Sequence, residues 1–508
     1  MARDPRKNSE RKKRLGPSGL EASLHLLATL HAQGVRDVVL CPGGRNAPMI
    51  QALEIASKKF NVMSFFDERA AGFFALGLSR QHQRPVMVSV TSGTALAELL
   101  PCVIEAEATR VPLIIHSADR PRSHRGIGSP QSMEQVGLFG RFAETLIDWQ
   151  EGEKCPQWLK KWSGRAPVHL NLCHQEPLWS KKESTFPKIK KSEITKKSQT
   201  IKTRLPQFKN PLLIIGSLER SEVKSVEKFI KWFGADTLCE ASSQLAHLSL
   251  SDKQIKLSDY DGVIRLGGVP SFRLWRDLEF NQMPVMSFGE TDWVGTPSGQ
   301  LFQGELKSFL ERWMKTGKKL SRPQKNRLNA KILFDKYPLS EPALIYKLSQ
   351  KLEENSLLYL GNSRPIRDWN SFAGPRPDVF IQDTRGLNGI DGQLSTFYGL
   401  ARPGMNYALV GDLTTLYDMQ GPWALRYLTS GIKTRLIVIN NSGGQIFKTM
   451  FPSALFRNEH SHNFKSLADF WHLDYATSLE VNTDHALIEL TPDAEQTAAF
   501  RREWEALS

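Results

Sequence analysis

At 508 residues and 40% hydrophobic, the chain is too long for a single core and predicts two or three domains of ordinary size. Its five cysteines (Cys41, Cys102, Cys155, Cys173, Cys239) are odd in number and lack C-x-x-C spacing, which argues against a disulfide framework or a zinc site and for a reducing cytoplasm. The net charge of +14 is concentrated: residues 1–19 carry seven Lys/Arg against two acids, 181–204 nine against two and 315–327 six against none, which leaves the remaining body slightly acidic.

These tracts lack the aromatic interleaving of single-strand binders and read as a tail and two solvated linkers, so no nucleic-acid partner is expected. No apolar run reaches the length of a membrane span, and the basic N-terminus leads into a segment carrying Glu21 and His25, so no export signal is expected either. The two inner tracts divide the chain into segments of about 15–180, 205–314 and 335–508.

In the first segment, short apolar runs alternate with helix-length stretches. A strand at 37–40 precedes a helix near 47–58, one at 62–66 a helix near 68–80, and one at 86–90 a helix near 94–107; a fourth strand comes at 113–115. The middle segment repeats this weakly, with strands at 212–215, 262–266 and 285–288. The third has strands at 357–360, 379–381, 408–410 and 436–439. Repeated βα units predict an α/β protein of three domains, each with a mostly parallel sheet flanked by helices.

Ligands of such sheets bind outside the carboxyl ends of the strands. Polar residues gather there: Cys41-Pro-Gly-Gly-Arg45-Asn46, Asp67-Glu68-Arg69, Thr91-Ser-Gly-Thr94, Ala118-Asp-Arg120-Pro121, Gly361-Asn-Ser363 with Arg367, Thr384-Arg385-Gly386, Gly411-Asp412-Leu413 and Asn440-Asn441-Ser-Gly443-Gly444. In the last two, the Asp412 carboxylate, the Asn441 amide oxygen and a carbonyl near Gly443 are hard oxygen ligands. They suit an octahedral Mg²⁺ that completes its shell with phosphate oxygens and water. The glycines let backbone approach a diphosphate.

With these motifs in place, the chain resembles the thiamine diphosphate (ThDP) enzymes, over nearly its whole length and in the order pyrimidine-binding, central and diphosphate-binding domain. The resemblance implies that Gly411, Asp412, Leu413, Asn441, Gly443 and Gly444 hold the diphosphate and its Mg²⁺ or Mn²⁺. Asp412, Asn441 and Gly443 are the implied metal ligands, and Leu413 stands where a glycine is commoner. Glu68 matches the glutamate that hydrogen-bonds N1′ of the aminopyrimidine, and Ile390 the bulky residue beneath the cofactor.

Within that group the motifs are most similar to those of the synthases that make 2-succinyl-5-enolpyruvyl-6-hydroxy-3-cyclohexene-1-carboxylate in menaquinone biosynthesis. This likeness implies decarboxylation of 2-oxoglutarate and conjugate addition of the succinyl unit to isochorismate. Ser363, Arg367 and Arg385 then take the succinyl carboxylate, and Arg45, Arg120 and Arg273 take isochorismate. Bidentate guanidinium suits each carboxylate. Gln131 contacts substrate or intermediate, and Ile446 and Phe447 wall the cavity. A homodimer or homotetramer is implied, Glu68 of one subunit completing the site of another.

The chain departs from the family pattern on the acceptor side. Gly44 and Asn46 replace two serines flanking Arg45, Phe272 replaces a lysine before Arg273, and Pro130 replaces an asparagine before Gln131. Another ThDP-dependent 2-oxo-acid decarboxylase or carboligase shares every cofactor residue, and a non-catalytic binding or regulatory descendant would share the fold.

Overall fold

The computed structural model describes residues 17–158, 162–190, 200–280, 282–320, 325–448 and 450–507. Most of the basic N-terminal tail therefore lies outside the described residues. Backbone contacts group the chain into two compact units, Met1–Lys196 with Tyr398–Leu400, and Lys197–Phe397 with Ala401–Ser508.

The first unit opens on a helix, Gly19–Ala32, whose start is set by a capping box: the Ser18 hydroxyl accepts the Glu21 N–H while Glu21 accepts the Ser18 N–H. Its six strands are β1 (Asp37–Leu40), β2 (Asn61–Ser64), β3 (Val86–Val90), β4 (Leu113–Asp119), β5 (Glu144–Gln150) and β6 (Val168–Cys173). They form one parallel sheet in the order β2-β1-β3-β4-β6-β5. Every residue of β1, β3, β4 and β6 is buried, as a sheet covered on both faces requires.

The single helix expected near 94–107 is two, Thr94–Ala97 and Leu100–Ala108. Pro101 has no N–H to bond back to residue 97, so it stands where a new helix begins. Strand β4 also runs four residues beyond the expected 113–115. Its extension, His116-Ser117-Ala118-Asp119, is polar but buried, because Ser117 bonds His169 (2.7 Å) and Asn171 (2.7 Å) and His116 bonds Ser89 (2.9 Å).

The second unit contains two sheets. One comprises β7 (Pro211–Ile215), β8 (Thr237–Cys239), β9 (Gly262–Leu266), β10 (Val285–Gly289) and β11 (Gly299–Gln303), in the order β11-β10-β9-β7-β8. The other comprises β12 (Leu357–Leu360), β13 (Phe380–Asp383), β14 (Gly404–Gly411), β15 (Ile432–Ile439), β16 (Asp474–Ala476) and β17 (His485–Leu490), in the order β13-β12-β14-β15-β17-β16. Both are wholly parallel. Leu436, Ile437, Val438 and Ile439 are each at most 1% exposed. At roughly 1.5–3 kcal/mol per buried aliphatic side chain, they anchor the strand that carries Asn440 and Asn441 at its end.

Each sheet reverses its winding after its first two strands, which leaves a switch point between β1 and β3, between β7 and β9, and between β12 and β14. Such a reversal opens a crevice at the carboxyl edge, where ligands of α/β sheets bind. The middle one is closed. A Cβ on Gly216 would run into the Gly268 carbonyl, and the Gly268 N–H donates to the Ser217 carbonyl (2.9 Å), so backbone fills the gap.

Candidate functional site

In the first unit, the crevice lies between the loops after β1 and β3. Glycine is needed at position 43, because a Cβ there would meet the Thr91 side chain at 2.6–2.8 Å. The next turn is stapled by Asn46, which is fully buried: its Oδ1 accepts the Gly43 N–H (2.9 Å) and its Nδ2 donates to the Cys41 carbonyl (3.0 Å). Asn46 is therefore spent on the loop and does not replace a serine hydroxyl.

Arg45 projects from this turn with its side chain 10% exposed, 3.3 Å from Glu176. Burial lowers its pKa first, and the like charge of Arg120 adds to the effect. Arg120 Nε donates to the Pro130 carbonyl (2.8 Å), while Ser92 Oγ donates to the carbonyl of Gln131 (2.7 Å), whose φ of 50° is left-handed. Arg45, Arg120 and Gln131 thus share the carboxyl edge of this sheet. Two guanidiniums in each other's field favour an anion between them.

Glu68 is the first residue of the helix Glu68–His82, but the capping is done by Asp67, which accepts the Ala70 N–H (2.9 Å). Glu68 is half-buried. Burial raises its carboxyl above the usual range, its own N–H pulls it down, and the charges of Asp67 and Glu98 push it further up. A carboxyl with a raised pKa that is not needed for the helix cap is available for proton exchange.

In the second unit, the loops after β12, β13, β14 and β15 share one edge. Asn362, 2% exposed, ties the loop after β12 to the loop after β13: Nδ2 donates to the carbonyls of Thr384 (2.8 Å) and Gly389 (2.8 Å), and Oδ1 accepts from Arg385 Nη1 (3.1 Å). Ile390, next to the pinned Gly389, is half-buried.

Ser363 adopts φ 71° and ψ −126°, a strained conformation for a residue with a side chain, and its carbonyl accepts from Arg367 Nη1 (2.7 Å). Burial lowers the pKa of Arg367, as do the like charges of Arg385 and Arg276. Among the neighbouring acids is Glu240, at the end of β8, fully buried and accepting the Ser271 N–H. Burial pushes Glu240 up, and Arg385 pulls it back. Arg273 lies exposed at the start of the short helix Arg273–Asp277, and Phe272 before it packs into the core beside Leu212 and Trp275.

The ends of β14 and β15, neighbours in the sheet, carry the oxygen donors. Asp412 is 3% exposed; its Oδ1 accepts the Leu413 N–H (2.7 Å) and its Oδ2 the Gly443 N–H (2.8 Å). Burial raises its pKa against these bonds. Gly443, at φ 121°, admits no side chain, since a Cβ would lie 2.5 Å from the Arg457 carbonyl; its own carbonyl accepts the Gln445 N–H (2.8 Å) and keeps a second lone pair. The Gly444 N–H donates to the Arg457 carbonyl (2.6 Å). Ile446 and Phe447 come next in a 3₁₀ turn, with Phe447 against Phe456 (6.1 Å between ring centres).

No group of three or more His, Cys, Asp or Glu suited to a metal is present among the described residues. A cation at Asp412 and Asn441 would rely on one carboxylate, one amide and main-chain carbonyl. That all-oxygen set fits a hard ion that takes the rest of its shell from a diphosphate.

Comparison with known proteins points to thiamine diphosphate enzymes. Residues 20–138 match the model described as thiamine pyrophosphate enzyme, N-terminal TPP binding domain. A 2-succinyl-5-enolpyruvyl-6-hydroxy-3-cyclohexene-1-carboxylate synthase of Bdellovibrio bacteriovorus is 37% identical, over 96% of this chain and 99% of that protein. The chain belongs to this synthase family. A second member, from Akkermansia muciniphila, is 36% identical over 94% of this chain and 97% of its own length. Benzoylformate decarboxylase from Polynucleobacter necessarius, 17% identical, shares the fold with a TM-score of 0.66 over 94% of this chain and 98% of that chain.

Four residues near these sites escape sequence reading. Asn362 is visible only as the middle of Gly361-Asn-Ser363; Glu240 and Arg276 come from the middle segment, whose strand-end residues form no motif. His460, with Nε2 3.4 Å from Asp412 Oδ2, lies 48 positions further along the chain in a loop without a motif. No helix among the described residues is long and apolar enough to cross a membrane.

Proposed function

We propose that the protein joins 2-oxoglutarate to isochorismate with loss of CO₂, giving 2-succinyl-5-enolpyruvyl-6-hydroxy-3-cyclohexene-1-carboxylate, and uses ThDP with Mg²⁺ or Mn²⁺. The observation that carries this reading is that Arg367, Arg385 and Ser363 stand at the same sheet edge as Asp412 and Asn441. Carboxylate-binding groups and diphosphate-binding groups are thereby built on one rigid frame.

In this reading Asp412, Asn441 and the Gly443 carbonyl hold the ion, and Gly411, Leu413, Gly444, Ile446 and Phe447 border the cofactor. Bound ThDP would supply a carbon nucleophile and an electron sink for decarboxylation of a 2-oxo acid. Glu68 holds and returns a proton at the cofactor's pyrimidine nitrogen. Ile390 supports the cofactor from below. Arg367 and Arg385, with Ser363, bind the distal carboxylate of 2-oxoglutarate. Arg45 and Arg120, with Arg273 and Gln131, bind the carboxylates of isochorismate. The domains of this reading are 15–180, 205–314 and 335–508, the protein is a cytoplasmic homodimer or homotetramer, and Glu68 acts on the cofactor held by a second subunit.

A different acceptor is the second reading, favoured by three observations on the acceptor side: Asn46 is bonded within its own turn, Phe272 is buried in the core, and Pro130 offers only its carbonyl, to Arg120. Incubation with 2-oxoglutarate, with and without isochorismate, separates the two when CO₂ release and the adduct are followed by mass spectrometry. The first reading expects adduct in step with CO₂. Release of CO₂ with no isochorismate adduct overturns it in favour of the second.

Gly44 offers a finer check, since a Cβ there meets nothing within 4 Å. Gly44→Ser should change stability by less than about 0.5 kcal/mol. One added hydrogen bond, worth about 0.5–1.5 kcal/mol, should lower the KM for isochorismate roughly 2- to 10-fold and leave the KM for 2-oxoglutarate unmoved. Steady-state kinetics with each substrate varied in turn tests it.

A further inference from the structure

The turn from Asn441 to Gln445 is backed by two buried carboxyl groups and two half-buried arginines drawn from three helices. Glu341 opens the helix Glu341–Lys351 and is 2% exposed; Arg364 and Asp368 lie on the helix Arg364–Phe372; Arg501 comes from the helix Ala494–Ala506. Arg501 grips Asp368 with both terminal nitrogens (3.1 and 2.6 Å) and approaches Glu341 Oε2 at 3.8 Å. Arg364 Nη2 donates to the Gln445 carbonyl (2.7 Å), at the far end of the turn. At the near end, Asn441 Nδ2 donates to Glu341 Oε2 (3.3 Å).

The last contact decides which way an amide faces. Glu341 Oε2 is the acceptor in this contact, so the Asn441 amide turns its NH₂ toward Glu341, and its oxygen is then left for the opposite side. Burial first, and then the charge of Asp368, raise Glu341 to about 7 even against the opposing pull of the Arg501 and Arg364 guanidiniums. Glu341 lies 100 positions before Asn441 and on another element.

We propose that Glu341 is a positioning residue that sets the Asn441 amide so that its oxygen, and not its nitrogen, is offered to the divalent ion of ThDP. The proposal rests on reading Asp412 and Asn441 as metal ligands. Without the Glu341 acceptor behind it the amide can flip, and the flipped form presents N–H groups to a cation. Glu341→Gln removes the preference without removing the bulk, since a glutamine amide can accept or donate.

The test is a Mg²⁺ titration of ThDP binding, read by tryptophan fluorescence in the full chain. Glu341→Gln should raise the Mg²⁺ half-saturation about 10- to 100-fold, as loss of a residue that orients a metal ligand commonly does. In an Asn441→Ala background the same substitution should add less than about 2-fold, because there is no longer an amide to orient. Should Glu341→Gln fail to fold, Glu341→Asp, which keeps the charge and withdraws it by one methylene, is titrated in its place.

An unchanged half-saturation, or the same loss in both backgrounds, overturns the proposal and assigns Glu341 to packing. Wild-type protein that binds ThDP with no divalent ion overturns the metal reading itself, and the proposal with it. That outcome is seen before any variant is made.

Discussion

Glu68→Gln lowers kcat by about 10²–10⁴-fold, the usual contribution of a positioned acid or base, while ThDP still binds within a few-fold. The structure separates this effect from a folding defect. Asp67 caps the helix through the Ala70 N–H, so the helix start does not depend on Glu68. Glutamine is nearly isosteric and can still donate a hydrogen bond, but it cannot exchange a proton. The burial that raises Glu68's carboxyl keeps that proton on the group to higher pH than an exposed glutamate would. Initial rates beside calorimetric ThDP titration give the two quantities, and full activity in the Glu68→Gln enzyme would remove Glu68 from the chemistry.

Asp412→Ala abolishes divalent-ion-dependent ThDP binding, with a loss of about 3 kcal/mol or more, on the order of 100-fold in affinity. The carboxylate is the one anionic member of the proposed ligand set. It also accepts the N–H groups of Leu413 and Gly443, so the alanine variant leaves two buried donors unpaired at a cost of about 1–3 kcal/mol each. Asp412→Asn keeps an acceptor oxygen and isolates the loss of charge. Calorimetric titration of both variants with ThDP and Mg²⁺, beside their melting temperatures, separates ligand loss from destabilisation. Unchanged binding in Asp412→Asn would sink the assignment.

The parallel sheets are legible in the sequence because each buried strand is a short apolar run, as in Val86–Val90 and Leu436–Ile439, and burial on both faces permits little else. The strand-end motifs are legible for the same reason, since the residues after such a run must sit at the carboxyl edge. Less legible is anything whose polarity is satisfied at long range. Strand β4 looks three residues long because His116 and Ser117 break the apolar pattern. They are stable inside only because Ser89, His169 and Asn171 arrive from other strands to bond them. The interruption of the helix after β3 is announced by Pro101, but the longer helical pattern around it hides the signal.

The candidate site divides in the same way. Residue type and order along the chain determined the fold class and the placing of Asp412 and Asn441 at neighbouring strand ends, while family resemblance singled out five arginines for the proposed carboxylate contacts. Only the tertiary structure decided how those groups are held. It placed Asn362 at the junction of two loops, Arg276 in the field of Arg367, and Glu341 behind the Asn441 amide. It also showed Asn46 to be spent on its own turn, Phe272 to belong to the core, and the crevice of the middle sheet to be shut. The reason is one of range: burial patterns and turn chemistry are written in neighbouring residues, whereas the direction of an amide or the partner of a buried charge is set by atoms about a hundred positions away.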